Sequence, residues 1–219
     1  INAQSGDDYV DGGPGDDLFL DTDFPSGDDY DGGTGTDTLD WSSLTFASGR
    51  VTVNIREGHA TSTLTGLSDT FRNIEIFRGS QGDETYIDDT GGTTIFAEGG
   101  EDTVQMRDVL FNGDEYHGGT GYDTFDLSAI PWIFSPTVNL ATNSWSYSGS
   151  AEVVNSFEHI VGGDGLVGET LIGNHLANRI EGNGAEDTIA GGGGADTLQG
   201  GDDDDEIQVF AGEATTGMV

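Results

Sequence analysis

Gly182-Asn183-Gly184-Ala185-Glu186-Asp187-Thr188-Ile189-Ala190, continued by Gly191-Gly192-Gly193-Gly194-Ala195-Asp196-Thr197-Leu198-Gln199, shows one nine-residue pattern twice. Each unit has a run of small residues, an acid at position six and a large apolar residue at position eight. The phase extends in both directions. Units begin at 164, 173, 182, 191 and 200 without a slip, which puts Glu169, Asn178, Asp187, Asp196 and Asp205 at position six. Leu171, Ile180, Ile189, Leu198 and Ile207 then fall at position eight. Four stretches, starting at Gly12, Gly32, Gly118 and Gly191, fit G-G-x-G-x-D-x-U-x in full, with U apolar. A short fixed period of this kind marks a solenoid, in which each unit buries its apolar residue only against its neighbours.

Two further arrays keep the period. Units at 79, 88 and 97 carry Glu84, Thr93 and Asp102 at position six and Tyr86, Ile95 and Val104 at position eight. Near the start, Ala3 to Asp11 carries Asp8 and Val10, and Gly12 to Leu20 carries Asp17 and Phe19. A longer repeat overlies the short one: Gly27 to Asp40 aligns, 86 residues later, with Gly113 to Asp126. Each copy is followed by a segment that leaves the glycine pattern. Both segments hold a strand-like stretch, Val51 to Ile55 and Thr137 to Leu140, and a second apolar piece, Asn73 to Ile76 and Ser156 to Ile160. The expected organisation is one continuous all-β solenoid, a parallel β-roll: array 1–40, insert 41–78, array 79–126, insert 127–163, array 164–208 and a truncated tail 209–219.

Nine residues divide into a six-residue turn and a three-residue strand with one inward side chain. Glycines let the turn curl and aim its carbonyls inward. The acid adds a hard anionic oxygen. Carbonyls with carboxylates are a ligand set for calcium rather than zinc or copper, and one turn supplies too few of the six to eight oxygens calcium takes. With two units per coil, a site forms between units 18 residues apart. The register pairs Asp187 with Asp205, Asn178 with Asp196, and Glu84 with Asp102; in the less regular parts it pairs Asp8 with Asp29, Asp17 with Asp37, Thr93 with Glu115, and Asp102 with Asp123. The candidate metal-site acids are Asp8, Asp17, Asp29, Asp37, Glu84, Asp102, Asp123, Asp187, Asp196 and Asp205. The candidate glycines are Gly12, Gly13, Gly15, Gly32, Gly33, Gly35, Gly100, Gly118, Gly119, Gly121, Gly182, Gly184, Gly191, Gly192, Gly194, Gly200 and Gly201.

Composition agrees with a cation requirement. The 219 residues hold 41 Asp and Glu against six Arg and no Lys, for a net charge of -35. Nucleic acid and anionic membranes are therefore poor partners. Leu, Ile, Val and Phe make up only 49 residues, so burial by itself does not offset chain ordering, which costs about 1 to 2 kcal/mol per residue. Bound calcium is expected to supply the difference and make folding and binding one equilibrium. There is no cysteine, so neither disulfides nor thiolate sites contribute. The longest apolar run, Ile130 to Phe134, is far short of a membrane span. No signal peptide opens the sequence, and the end at Thr215 to Val219 reads as a cut within a longer protein.

The nonapeptides Gly12 to Leu20 and Gly191 to Gln199 resemble those of the repeats-in-toxin (RTX) family, the hemolysin-type calcium-binding β-roll. The segments around Gly35 to Ser42 and Asn73 to Glu75 resemble those flanking the repeats in serralysin-type proteases and related secreted proteins. The resemblance implies a passenger of type I secretion that folds on meeting calcium outside the cell, attached to a parent protein that it does not specify. Thr93, Asn178, Glu84, Glu115 and Glu169 depart from the family's aspartate at position six, which implies weaker sites there.

Other chemistry is thinly represented. His59, His117, His159 and His175 show no metal-binding spacing, and no G-x-S-x-G elbow occurs, so catalysis within this chain is not expected. Trp41, Trp132, Trp145 and Tyr147 allow two readings. They pack each insert onto the side of the roll, or they form a face for polysaccharide or a cell surface, the alternative function of an adhesive module. Asp40 and Asp126, just past position eight, either cap or ligate at the insert junctions.

Overall fold

The computed structural model describes residues 1–3, 5–45, 51–88, 90–107, 113–130 and 134–209. Among these, every regular element is a β-strand. The strands form two long sheets of twelve and eleven strands and one two-stranded ladder joining Gly99–Gly100 to Thr120–Gly121. Outside the inserts, successive strands of the chain alternate between the two long sheets, and neighbours within a sheet run parallel. The fold is the all-β parallel roll read from the period.

The register shows why. Thr170 pairs with Thr188, Thr188 with Glu206, Arg179 with Thr197 and Thr85 with Thr103, each a step of 18 residues, or two nonapeptides. Three-residue strands show an alternating exposure pattern with the middle residue inward. Those middle residues make the core: Tyr30, Leu39, Phe77, Ile95, Tyr116, Phe125, Ile160, Leu171 and Ile189 are all fully buried. Edge-to-face rings fill the wider part, with Phe125 against Trp145 at 5.8 Å and against Phe157 at 5.6 Å between centroids. Val10 and Ile207, at the two ends of the roll, are only partly buried.

The inserts differ from the expected side packing. Each is a three-strand antiparallel meander spliced into one sheet. In the first, Val51–Asn54, His59–Ser62 and Ser68–Arg72 pair antiparallel in succession, while the outer two pair parallel with Glu84–Asp88 and Asp29–Asp31. In the second, Thr137–Asn139, Ser144–Tyr147 and Ser150–Asn155 do the same between Thr170–Ile172 and Glu115–His117. An odd number of strands restores the direction of the chain, so both edges of the interrupted roll find parallel partners. A side-packed insert would leave those edges unpaired, at the cost of a row of open backbone groups. The turns are built for it: Ser148 and Gly149 both have positive φ, 53° and 89°, as a two-residue hairpin turn requires. The first meander widens only the eleven-stranded sheet, since Thr38–Asp40 still pairs directly with Ile76–Arg78 in the other. The second widens only the twelve-stranded sheet.

Candidate metal centre

Turns between the sheets end on a residue two positions before an inward apolar side chain. That residue's backbone N–H donates to the carboxylate of its counterpart one coil on. Glu84 N–H donates to Asp102 Oδ1 at 2.7 Å, Asp102 N–H to Asp123 Oδ1 at 2.9 Å, and Asp123 N–H to Glu158 Oε2 at 3.1 Å. Asn178 N–H reaches Asp196 Oδ1 at 2.9 Å. Along the other side, Asp17 N–H donates to Asp37 Oδ1 at 2.7 Å and Asp37 N–H to Glu75 Oε2 at 2.9 Å. Glu169 N–H donates to Asp187 Oδ1 at 2.7 Å, and Asp187 N–H to Asp205 Oδ1 at 3.0 Å. The result is a ladder of stacked acids along each side of the roll.

In many of these acids one oxygen is thus used and the other is left over. The second oxygens of Asp37, Asp69, Asp102, Asp114, Asp123, Glu169 and Asp187 are buried with no hydrogen-bond partner. A buried anionic oxygen without a donor is costly. Its surroundings are further oxygens. A methyl group placed on Gly182 would lie 2.3 Å from Asp187 Oδ2 and 2.5 Å from the Gly200 carbonyl oxygen. On Gly12 it would lie 2.7 Å from Asp17 Oδ2 and 2.8 Å from the Gly32 carbonyl oxygen. The first glycine of the unit therefore keeps open a space on which a carboxylate and a carbonyl of the next coil converge. Gly191 and Gly200 keep the same space beside Asp196 Oδ2 and Asp205 Oδ2, and Gly118 beside Asp123 Oδ2. The second and third glycines serve the stacking of the turns: side chains on Gly33, Gly35, Gly119, Gly121, Gly192, Gly194 and Gly201 would strike a carbonyl of the coil below, those of Gly13, Gly15 and Gly100 among them. Gly184 bridges to Asp164.

The electrostatics follow from this burial. Desolvation pushes the Asp102 and Glu169 carboxyls up to about 8, with the neighbouring acids Glu84 and Asp187 adding to it. It pushes Glu84 to about 7, and Asp114, Asp123 and Asp187 to about 6. Arg72, Arg78 and Arg179 do not balance the ladder: they direct their guanidinium groups to Asp29, Asp31, Asp40, Glu98 and Glu181 on the outer faces. Grouped acids with unused buried oxygens are able to hold a metal ion. The all-oxygen donor set of carboxylates and carbonyls fits a hard cation.

Two pairings from the sequence are corrected. Asp8 N–H meets Asp28 Oδ1 at 2.8 Å, not Asp29, and Thr93 N–H meets Asp114 Oδ1 at 2.7 Å, not Glu115. The inward tyrosines Tyr30 and Tyr116 set the frame, because alternation sends residues two before them inward and those one before outward. Asp29 accordingly accepts from Thr70 Oγ1 and Arg72 on the outer face. Asp40 and Asp126 cap: each Oδ1 accepts the backbone N–H two residues on, from Ser42 and Ser128, at 2.8 Å.

Sequence reading missed four ladder members in the inserts, Asp69, Glu75, Glu152 and Glu158. Asp28 N–H donates to Asp69 Oδ1 at 3.0 Å and Asp114 N–H to Glu152 Oε1 at 3.3 Å. The signal was an acid two residues before an apolar one, as in Asp69-x-Phe71, Glu75-x-Phe77, Glu152-x-Val154 and Glu158-x-Ile160. Both described insert tryptophans bond to acids from within: Trp145 Nε1 donates to the ladder acid Glu152 at Oε2, 2.9 Å, and Trp41 Nε1 to Asp21 Oδ2, outside the ladder, at 2.8 Å; both indoles are buried. Tyr147 packs edge-on against Phe134 at 5.1 Å, and Trp132 lies outside the described residues. No protein-family model and no curated protein matches the chain.

Proposed function

We propose that this chain is a calcium-binding module of the RTX kind, part of an extracellular protein exported by type I secretion, and that it folds when calcium fills the two acid ladders. The observation that carries this reading is the row of buried second carboxylate oxygens beside the carbonyls of the adjacent coil. Calcium accepts this irregular, many-oxygen shell, whereas magnesium demands a tighter octahedron and keeps its water. In a cytosol poor in free calcium the ladder carboxylates would have to be protonated or repel one another, so the chain stays open for export. Outside, the ion neutralises the stacked carboxylates and closes the coils. The polysaccharide-binding alternative loses its two chief aromatic contacts, because Trp41 and Trp145 are inside the core. A calorimetric titration tests the proposal: calcium binds at several sites with affinities of about 0.1 to 1 mM, magnesium binds far more weakly, and Asp187→Asn lowers the number of ions bound. Equal binding of both metals, or an unchanged count in Asp187→Asn, would sink it.

A further inference from the structure

We infer, on the strength of the calcium reading, that the two units with a neutral residue at position six, Thr93 and Asn178, are calcium-free joints. Hydrogen bonds of the protein itself fill the place that a cation takes in the acidic units, and an aspartate restored at position six gains no ion.

Both units follow an insert acid. Thr93 stacks on Glu75 and Asn178 on Glu158, since Thr94 pairs with Ile76 and Arg179 with His159. In the regular ladder the lower residue donates its N–H upward to the next carboxylate. At these insert acids the N–H is turned back: Glu75 N–H donates to the Asp37 carbonyl and Glu158 N–H to the Asp123 carbonyl, each at 3.1 Å. Two residues earlier, Asn73 and Ser156 both bend the chain at positive φ, 54° and 58°. An acid at 93 or 178 would therefore meet no donor from the coil below, and a buried oxygen without a donor is costly.

Asn178 meets this with its amide. Nδ2 donates to the Glu158 carbonyl at 3.2 Å, and Oδ1 accepts from Asn174 N–H at 2.8 Å. Oδ1 is the atom beside the first glycine of the unit. A methyl group on Gly173 would lie 2.5 Å from it and 2.2 Å from the Gly191 carbonyl oxygen, the counterparts of Asp187 Oδ2 and the Gly200 carbonyl around Gly182. Asp187 Oδ2 has no donor, whereas Asn178 Oδ1 has one.

In the other unit the first glycine is missing: Asp88 stands at position one and is fully buried. Its oxygens accept from Thr90 N–H and the Thr90 hydroxyl, both at 2.9 Å, and from the Tyr116 hydroxyl at 3.0 Å. The Thr90 and Thr93 hydroxyls share a further hydrogen bond at 3.2 Å. None of Glu75, Thr93, Glu158 and Asn178 leaves a buried side-chain oxygen unpaired, in contrast to Asp102, Asp123 and Asp187. The stack itself continues through both joints, because Thr93 N–H donates to Asp114 and Asn178 N–H to Asp196.

Calcium on the full chain is counted by equilibrium dialysis with metal analysis, and the calcium midpoint of folding is read by circular dichroism, for the wild type, Asn178→Ala, Asn178→Asp and Asp187→Asn. Asn178→Ala is expected to keep the full ion count. Asn178→Asp is expected to keep it too, and to need several-fold more calcium to fold. One ion fewer in Asn178→Ala overturns the joint, as does an added ion or a midpoint no higher than that of the wild type in Asn178→Asp. A lower count in Asp187→Asn at the same time leaves the calcium reading standing, and a wild type that binds no calcium sinks both. Should Asn178→Asp fail to fold at any calcium concentration, the ion count of Asn178→Ala decides.

Discussion

Replacing Asp102 by asparagine is expected to act in opposite directions with and without calcium. Asp102 is fully buried, its Oδ1 accepts from Glu84 N–H and its Oδ2 has no donor. Burial pushes its carboxyl from 3.8 to about 8, so the metal-free folded state keeps it protonated at neutral pH. Holding that proton at pH 7 against an unfolded value of 3.8 costs about 4 kcal/mol. Asparagine keeps the acceptor for Glu84 and removes that cost. In chelator, wild-type strand content should rise as pH falls from 8 to 4, because the folded state binds more protons than the unfolded one throughout this range. The Asp102→Asn substitution should move that transition to higher pH and lower its proton uptake by about one. In calcium the same variant lacks one anionic ligand and should need several-fold more metal to fold. Far-UV circular dichroism against pH in chelator, and against calcium at pH 7, reads both arms. A variant that is weaker in both, or unchanged in both, would refute the reasoning.

Other outcomes follow from the same geometry. Calcium-driven folding of the open chain at pH 7 should release almost no protons, because its carboxyls are already ionised, whereas calcium added at about pH 5 to the folded, metal-free state should release them, chiefly from Asp102, Glu169, Asp69 and Glu84, which burial holds near 7 to 8; a weakly buffered titration with a pH electrode measures it. Gly182→Ala places a methyl group 2.3 Å from Asp187 Oδ2 and should raise the calcium concentration needed for folding, whereas Gly66→Ala meets nothing within 4 Å and should show only the strain of its positive φ. Trp145→Phe removes the indole donor to Glu152 and should lower stability in calcium by about 1.5 to 3 kcal/mol, read by urea unfolding. Arg72→Ala breaks exposed pairs with Asp29 and Asp31 and should leave the calcium midpoint nearly unchanged.

The fold was legible wherever the nine-residue phase is unbroken. From Asp164 onward, position eight is inward and position six stacks on its neighbour 18 residues away, as the pairs of Asn178 with Asp196 and Asp187 with Asp205 show. It was misread by one residue where the spacing lengthens to 20 or 21, at Asp28 and Asp114, because position was counted from the glycines rather than from the inward tyrosines. The inserts were harder for a physical reason. Their middle strands run antiparallel inside an otherwise parallel sheet and carry no nonapeptide, so no local period announces His59–Ser62 or Ser144–Tyr147. Asp69 and Glu152 therefore enter the ladder through tertiary pairing, with only the acid two residues ahead of Phe71 and Val154 to mark them.

The most direct measurement of the central claim is the far-UV circular dichroism of the full chain at pH 7 in excess chelator, followed by addition of calcium to a few millimolar. A coil spectrum that converts cooperatively to strand on calcium addition, and back on renewed chelation, is the predicted result. A strand-rich spectrum that persists in chelator at neutral pH would mean that the buried carboxylates are tolerated without a cation, and would contradict the account.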